Sequence, residues 1–146
     1  MSESKSYTGG CACGAVTYRI DGDPMAVRQC WCRHCQKLST GGPTHNAFFM
    51  ADAIAVDGTL ASNAHAADSG NELSWYFCAS CGTQLFGASS ARPQMRAVRL
   101  GSLDQAHELQ PTAAIWVQEA PGWVRIDPAM EQHPAQPPAP PPQNQS

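Results

Sequence analysis

The sequence predicts a small, mainly β domain that bound metal ions help to hold together. Apolar and polar residues alternate in several short runs, which is the period of a half-buried strand. Turn-forming Gly, Pro and Asp residues separate these runs. The chain has 146 residues, of which seven are cysteines and only 21 are Leu, Ile, Val or Phe. So few large apolar residues make a thin core, which metal ligation by the cysteines would supplement.

Strand candidates follow one another along the chain and favour antiparallel pairing. They lie at 16–20, 46–50, 73–77, 98–100, 113–118 and 123–126. The last two predict a hairpin around 119–122, and a short helical turn is expected near 104–109. Residues 61–72 (ASNAHAADSGNE) are small and polar without a period, which predicts a surface loop.

The composition changes near the end of the chain. Residues 128–146 hold seven of the twelve prolines. This predicts one folded domain over 1–127 and a flexible, disordered tail over 128–146. The segment PAQPPAPPPQ contains PxxP spacings that could dock into an SH3-like groove, but a disordered end is the favoured interpretation.

Charge and hydropathy argue against two classes of partner. Nine basic residues stand against twelve acidic ones, a net charge of -3, which does not favour binding to a nucleic-acid backbone. No window approaches 18 apolar residues, and the opening MSESKSYTGG lacks the apolar core of a secretory signal. We therefore expect a cytoplasmic location, where cysteines remain reduced.

The cysteines form three tight clusters, which are the strongest signal in the sequence. They are Cys11 with Cys13, then Cys30 with Cys32 and Cys35, then Cys78 with Cys81. Zinc prefers tetrahedral sites, and two thiolates one or two residues apart can face one ion from a tight turn. Glycines follow Cys13 and Cys81, where such turns need unusual backbone angles. An odd number of cysteines also cannot pair fully into disulfides within one chain.

Spacing leaves more than one division of these ligands open. The first division unites the clusters at 11–13 and 78–81 in a closed four-cysteine site and leaves the cluster at 30–35 as a three-ligand site. The second builds a zinc ribbon from Cys32, Cys35, Cys78 and Cys81. An iron–sulfur cluster and buried cysteines without a ligand are less favoured interpretations. A zinc ion with three protein ligands keeps a position open for catalysis.

The pattern resembles the glutathione-dependent formaldehyde-activating enzyme family, whose members are zinc proteins with a β-tent fold. The resemblance rests on GGCACGAVTY (9–18), CWCRHCQK (30–37), WYFCASCGTQLF (75–86), RLGSLD (99–104) and IWVQEAPGW (115–123). It implies two zinc ions per chain. The structural ion would be held by Cys11, Cys13, Cys78 and Cys81, and the catalytic ion by Cys30, Cys32 and Cys35.

The activity that this resemblance implies is that of a carbon–sulfur lyase, an S-(hydroxymethyl)glutathione synthase that joins glutathione and formaldehyde. Two residues depart from the family pattern. Ala114 stands where relatives often carry a histidine, and Trp31 stands where a smaller or polar residue is usual. A bulky indole at 31 could narrow the mouth of the site.

Cationic side chains beside the triple cluster are candidates for binding the carboxylates of a thiol such as glutathione. Arg33 and Lys37 are the main candidates, with Arg28 and His34 nearby. We expect His45 to be a packed or exposed histidine; as a fourth zinc ligand it would instead close the site. The alternative to an enzyme is a zinc-stapled binding module in which both ions only contribute folding energy.

Overall fold

Two β-sheets dominate the computed structural model, which describes residues 5–67 and 69–137. The strands within these ranges are β1 Ser6–Gly10, β2 Thr17–Asp21, β3 Ala26–Cys30, β4 Thr44–Met50, β5 Ile54–Asp57, β6 Leu60–Ala66, β7 Glu72–Cys78, β8 Gln84–Ser89, β9 Met95–Arg99, β10 Ala113–Ile115 and β11 Glu131–Gln132. One α-helix, α1, spans Arg33–Leu38. Short 3-10 turns lie at Ala51–Ala53, Leu100–Ser102, Ala106–Glu108 and Val117–Glu119. The predicted mainly β fold class is confirmed.

The strand order explains how distant clusters approach one another. The small sheet has the order β1-β2-β5, and the large sheet has the order β11-β10-β3-β4-β9-β8-β7-β6. Most neighbours are antiparallel, as predicted, but β10 runs parallel to both β3 and β11. No helix in the described ranges is long and apolar enough to cross a membrane.

The core takes buried residues from both sheets and includes two aromatic pairs among aliphatic side chains. The ring centroids of Tyr7 and Phe49 are 5.8 Å apart, and those of Tyr18 and Phe86 are 5.0 Å apart. Both pairs meet edge to face, the geometry that the ring quadrupoles favour. The Tyr18 hydroxyl forms a 2.7 Å hydrogen bond with the Ser102 hydroxyl. This bond satisfies a polar group inside an otherwise apolar core.

Several predicted elements match the structure, and two do not. Strands β4 and β7 cover the candidates at 46–50 and 73–77, while β2 and β9 overlap those at 16–20 and 98–100 except for one residue each. The helical turn near 104–109 is present at Ala106–Glu108. The surface loop predicted over 61–72 is wrong, because residues 61–66 belong to β6. That strand lies at the edge of the sheet and pairs with β7 over seven residues. Backbone pairing stabilises an edge strand without a buried apolar face.

The predicted hairpin between 113–118 and 123–126 is also wrong. Strand β10 ends at Ile115, and residues 123–126 form no strand. Trp123 is 76% exposed and the Val124 amide donates to the carbonyl of Pro121, as in a turn. The strand that pairs with β10 at this edge of the sheet is β11, Glu131–Gln132, which lies within the predicted tail. Residues 138–146, with most of the PxxP segment, lie outside the described ranges.

Candidate metal centres

The first candidate centre lies where two turns of the chain meet. One turn follows β1 and carries Cys11 and Cys13, and the other follows β7 and begins at Cys78. Ligand atoms of Cys11, Cys13, Cys78 and Cys81 all lie within 4.8 Å of one another. The turns close through hydrogen bonds from the Gly14 amide to the carbonyl of Cys11 and from the Gly82 amide to that of Cys78. Both glycines have positive φ angles, which glycine adopts without strain.

Hydrogen-bond donors surround the sulfurs of this four-cysteine group. The Val16 amide donates to Cys11 Sγ at 3.2 Å, and the Ser80 amide donates to Cys78 Sγ at 3.3 Å. The Thr83 hydroxyl lies 3.1 Å from Cys81 Sγ and is the main reason that the pKa of this thiol falls to about 5. Donors of this kind stabilise thiolates, which are the form that binds metal.

The second candidate centre lies at the end of β3 and the beginning of α1. Cys30 is the last residue of β3, Cys32 caps the helix, and Cys35 lies in its first turn. Ligand atoms of these three residues also lie within 4.8 Å of one another. Hydrogen bonds from the Cys30 and Cys35 thiols, together with the Cys35 amide, hold the pKa of Cys32 well below its ordinary value. These donors favour the ionised form of Cys32, which is the form that binds metal.

The cysteines are divided between these two groups in the first of the ways that the sequence left open. The zinc ribbon would require Cys32 and Cys35 to share a group with Cys78 and Cys81, and these pairs belong to different groups. The unequal intervals between Cys30, Cys32 and Cys35 reflect the local structure, since this group spans the end of a strand and the first turn of a helix. A sulfur-only donor set of four or three thiolates suits zinc.

His45 is not part of the three-cysteine group. His45 directly follows Thr44 on β4, and successive side chains of a strand point to opposite faces of the sheet. Because Thr44 pairs with Cys30, the His45 side chain stands on the face opposite to both. Its Nε2 lies 3.0 Å from Gln29 Nε2. The hypothesis that His45 closes this site finds no support in the geometry.

Trp31 and Ala114, the two departures from the family pattern, are both buried. Trp31 is 4% exposed, and its indole N–H donates to Gln29 Oε1 at 2.8 Å. The indole therefore packs inside the domain next to the ligand residues Cys30 and Cys32. Ala114 is fully buried opposite Gln29 in the parallel pairing of β10 with β3.

The candidate substrate-binding residues Arg33 and Lys37 are exposed on α1. The Arg33 guanidinium donates to Gln36 Oε1, while its backbone amide donates to Glu119 Oε2 at 2.7 Å. Neither the Arg33 guanidinium nor the Lys37 ammonium forms an ion pair within the described ranges. Since they are four residues apart, both side chains lie on one side of α1. Each is two residues from Cys35, so that side of the helix points away from the Cys35 thiol.

Four polar residues near the three-cysteine group were not singled out from the sequence. Thr44, Asn46 and Arg99 stand on the same sheet face as Cys30, and His65 lies on β6. The rings of His65 and His34 stack with centroids 4.1 Å apart, and both contact Trp75. Of these four residues, only Arg99 lay in a motif that the sequence analysis had noted, since it begins RLGSLD. His65 lay within the segment predicted as a loop and gave no comparable signal.

Comparison with known proteins decides the family. The family model described as "Glutathione-dependent formaldehyde-activating enzyme" matches residues 6–119, which is well over half of the chain. The chain belongs to this family. The resemblance seen in the sequence is thereby confirmed.

A relative and a solved structure extend this comparison. A protein of Halomonas elongata, provisionally named a glutathione-dependent formaldehyde-activating enzyme, is 26% identical over 125 residues. The match covers 82% of this chain and 80% of that protein. A crystal structure of a Rhodobacter sphaeroides protein shares the fold, with a TM-score of 0.52 and 20% identity. It covers 71% of this chain and 91% of its own.

Proposed function

We propose that this member of the formaldehyde-activating family is a zinc-dependent carbon–sulfur lyase. It handles the adduct of a glutathione-like thiol with a small carbonyl compound at the three-cysteine group. The observation that carries this proposal is the convergence of Cys30, Cys32 and Cys35, whose ligand atoms lie within 4.8 Å of one another beside the beginning of α1. Three protein ligands are the usual number at catalytic zinc, whereas four are usual at structural zinc.

The reaction requires little of the protein. In the forward direction a bond forms between the thiol sulfur and the carbonyl carbon, and the thiol proton moves to the carbonyl oxygen. The reverse direction breaks the same bond, and neither direction needs an oxidant or reductant. A zinc ion at the three-cysteine group would bind the substrate thiol and lower its pKa, so that the thiolate forms near neutral pH.

The chain's own residues have separate roles in this proposal. Cys30, Cys32 and Cys35 hold the catalytic ion, and the four-cysteine group holds a structural ion that joins the turns after β1 and β7. Arg33 and Lys37 bind the carboxylates of the thiol substrate. The absence of carboxylate partners for their exposed side chains in the described ranges supports this role.

The experiment combines metal counting with a rate measurement. Native mass spectrometry of the reduced protein should show two zinc ions per chain and one added glutathione, and the variant Cys32→Ser should retain one zinc. Exchange NMR with 13C-formaldehyde and glutathione measures the interconversion of the free aldehyde and its thiol adduct. Wild-type protein should accelerate it over the uncatalysed rate.

A matched pair of variants separates an enzyme from a binding module. Cys32→Ser should abolish the acceleration while the protein stays folded, and the exposed Arg19→Gln, on the small sheet, should retain it. Retained acceleration in Cys32→Ser would contradict the assignment of the site. Two bound zinc ions without any acceleration by wild-type protein would favour the zinc-stapled binding module.

A further inference from the structure

A cavity of about 280 Å³ lies over the strands β3, β10 and β11 at one end of the large sheet. Arg28 on β3 pairs with Ala113 on β10, and Ala113 pairs in turn with Glu131 on β11. Paired residues place their side chains on the same face of a sheet. Arg28 and Glu131 therefore line opposite walls of the cavity, with the small Ala113 between them. The Glu131 wall lies outside residues 6–119, the part of the chain that the family model matches.

The cavity lies on the same sheet face as the three-cysteine group. Val27, between Arg28 and Ala26 on β3, belongs to the core, so its neighbours face away from the core. Arg28 precedes Cys30 by two residues, so both side chains stand on this outer face. Their Cα atoms lie about 7 Å apart along an extended strand. One small ligand can therefore reach both the cavity and the cysteines.

Two opposite charges line this cavity without neutralising one another. The Arg28 guanidinium lies over the ring of Phe48, 5.6 Å from its centroid, which leaves the N–H groups at its edge available to a ligand. Glu131 Oε1 lies 3.1 Å from His133 Nε2, and the second carboxylate oxygen of Glu131 remains available. Arg28 and Glu131 form no ion pair with each other in the part of the chain that the structure describes. The space between them suits a ligand that carries both charges.

We propose that this cavity binds the α-amino-acid end of the thiol substrate, with its carboxylate on Arg28 and its ammonium group on Glu131. In extended glutathione that end lies roughly 7 to 9 Å from the thiol sulfur, which is comparable to the interval from Arg28 to Cys30. The substrate class is then a thiol with a free amino-acid end, since Glu131 repels a ligand that carries only negative charge. The inference rests on the function proposed above and leaves the other carboxylate of glutathione to Arg33 and Lys37.

The test uses γ-glutamyl-2-aminobutyryl-glycine, a glutathione analogue with a methyl group in place of the thiol, so that binding does not depend on a metal–sulfur bond. NMR titration of the 15N-labelled protein should show saturable shifts of the Arg28, Glu131 and His133 amide signals. Arg28→Gln should weaken binding about tenfold, because a charge-assisted contact is lost. An analogue with glutaryl in place of γ-glutamyl lacks the ammonium group and should bind about fivefold more weakly. Glu131→Gln should bind both analogues equally.

Arg19→Gln, at an exposed arginine of the small sheet, is the matched control and should bind both analogues as wild type does. Wild-type affinities in both Arg28→Gln and Glu131→Gln would overturn the proposed subsite, even if the protein accelerates the reaction. Binding in the cavity by a wild-type protein that gives no acceleration would support the subsite and contradict only the proposed function. If Arg28→Gln fails to fold, Glu131→Gln decides the question, because the Glu131 side chain is 71% exposed.

Discussion

The sulfur of Cys32 accepts the backbone amide of Cys35 at 3.2 Å, so Cys32 caps α1 and also belongs to the three-cysteine group. A helix N-terminus favours negative charge, since its first amides have no partner within the helix. The thiolate that would bind metal is therefore the group that satisfies the helix. Metal binding and the order of α1 are coupled through this residue.

This double role distinguishes two substitutions at one position. Cys32→Ser should lose one metal ion but keep the cap, because a hydroxyl oxygen also accepts the Cys35 amide. Cys32→Ala should lose the ion and the cap, at an additional cost of about 1 kcal/mol in the free energy of unfolding. Metal analysis and urea denaturation measure both effects. Equal stability of the two variants would contradict the capping role.

The four-cysteine group should contribute more to stability than the three-cysteine group. Its thiols join turns that are more than 60 residues apart in sequence, whereas Cys30, Cys32 and Cys35 are already neighbours. Cys13→Ser, at an exposed thiol, should therefore lower the melting temperature more than Cys32→Ser. Thermal unfolding of both variants with matched zinc measures this. A larger loss in Cys32→Ser would contradict the assignment of the structural role.

The buried tyrosine in the core predicts a loss of stability at alkaline pH. Burial raises the pKa of Tyr18 to about 12, from an ordinary value of 10.0. The unfolded chain then releases this proton first as the pH rises, so stability present below pH 10 is lost between about pH 10 and 12. The loss at this residue reaches about 2 to 3 kcal/mol. Denaturation curves of wild type and Tyr18→Phe test it, and an identical alkaline loss in both would contradict the cause.

The position of Trp123 gives a test of the fold near the end of the domain. Because its side chain is 76% exposed, Trp123→Ser should change the free energy of unfolding by less than about 0.5 kcal/mol. Trp75, which is 7% exposed, is the matched comparison, and Trp75→Ser should cost several times more. A large loss in Trp123→Ser would instead favour the hairpin expected from the sequence.

Residues 128–137, the described part of the predicted tail, should contribute to the stability of the large sheet. The amides of Glu131 and His133 donate to the carbonyls of Thr112 and Ala114 at 3.0 and 2.9 Å. A chain truncated after residue 127 should therefore be less stable than one truncated after 137, by about 1 to 3 kcal/mol. Urea denaturation of the two chains measures the difference. Equal stabilities would support a domain boundary at residue 127.

Local patterns predicted those parts of the fold whose cause is itself local. The alternation at 16–20 and 73–77 marks strands that bury one face, such as β2 with Tyr18 and Ile20 inside. Strand β6 lacked this signal, since its pairing with β7 depends on a partner strand rather than on its own side chains. Residues 123–126 are mostly apolar and were expected to form a strand beside 113–118, but β10 pairs instead with β3 and β11.

The amino-acid sequence by itself determined the β class, the cysteine clusters and the family, because short-range spacing encodes strands, turns and ligand pairs. The tertiary structure decided which clusters share a group, since only strand order brings the turns after β1 and β7 together. It also decided that Arg99 faces the three-cysteine group rather than solvent. That placement depends on β9 pairing with β4 next to β3, a long-range register that no local pattern of residues specifies.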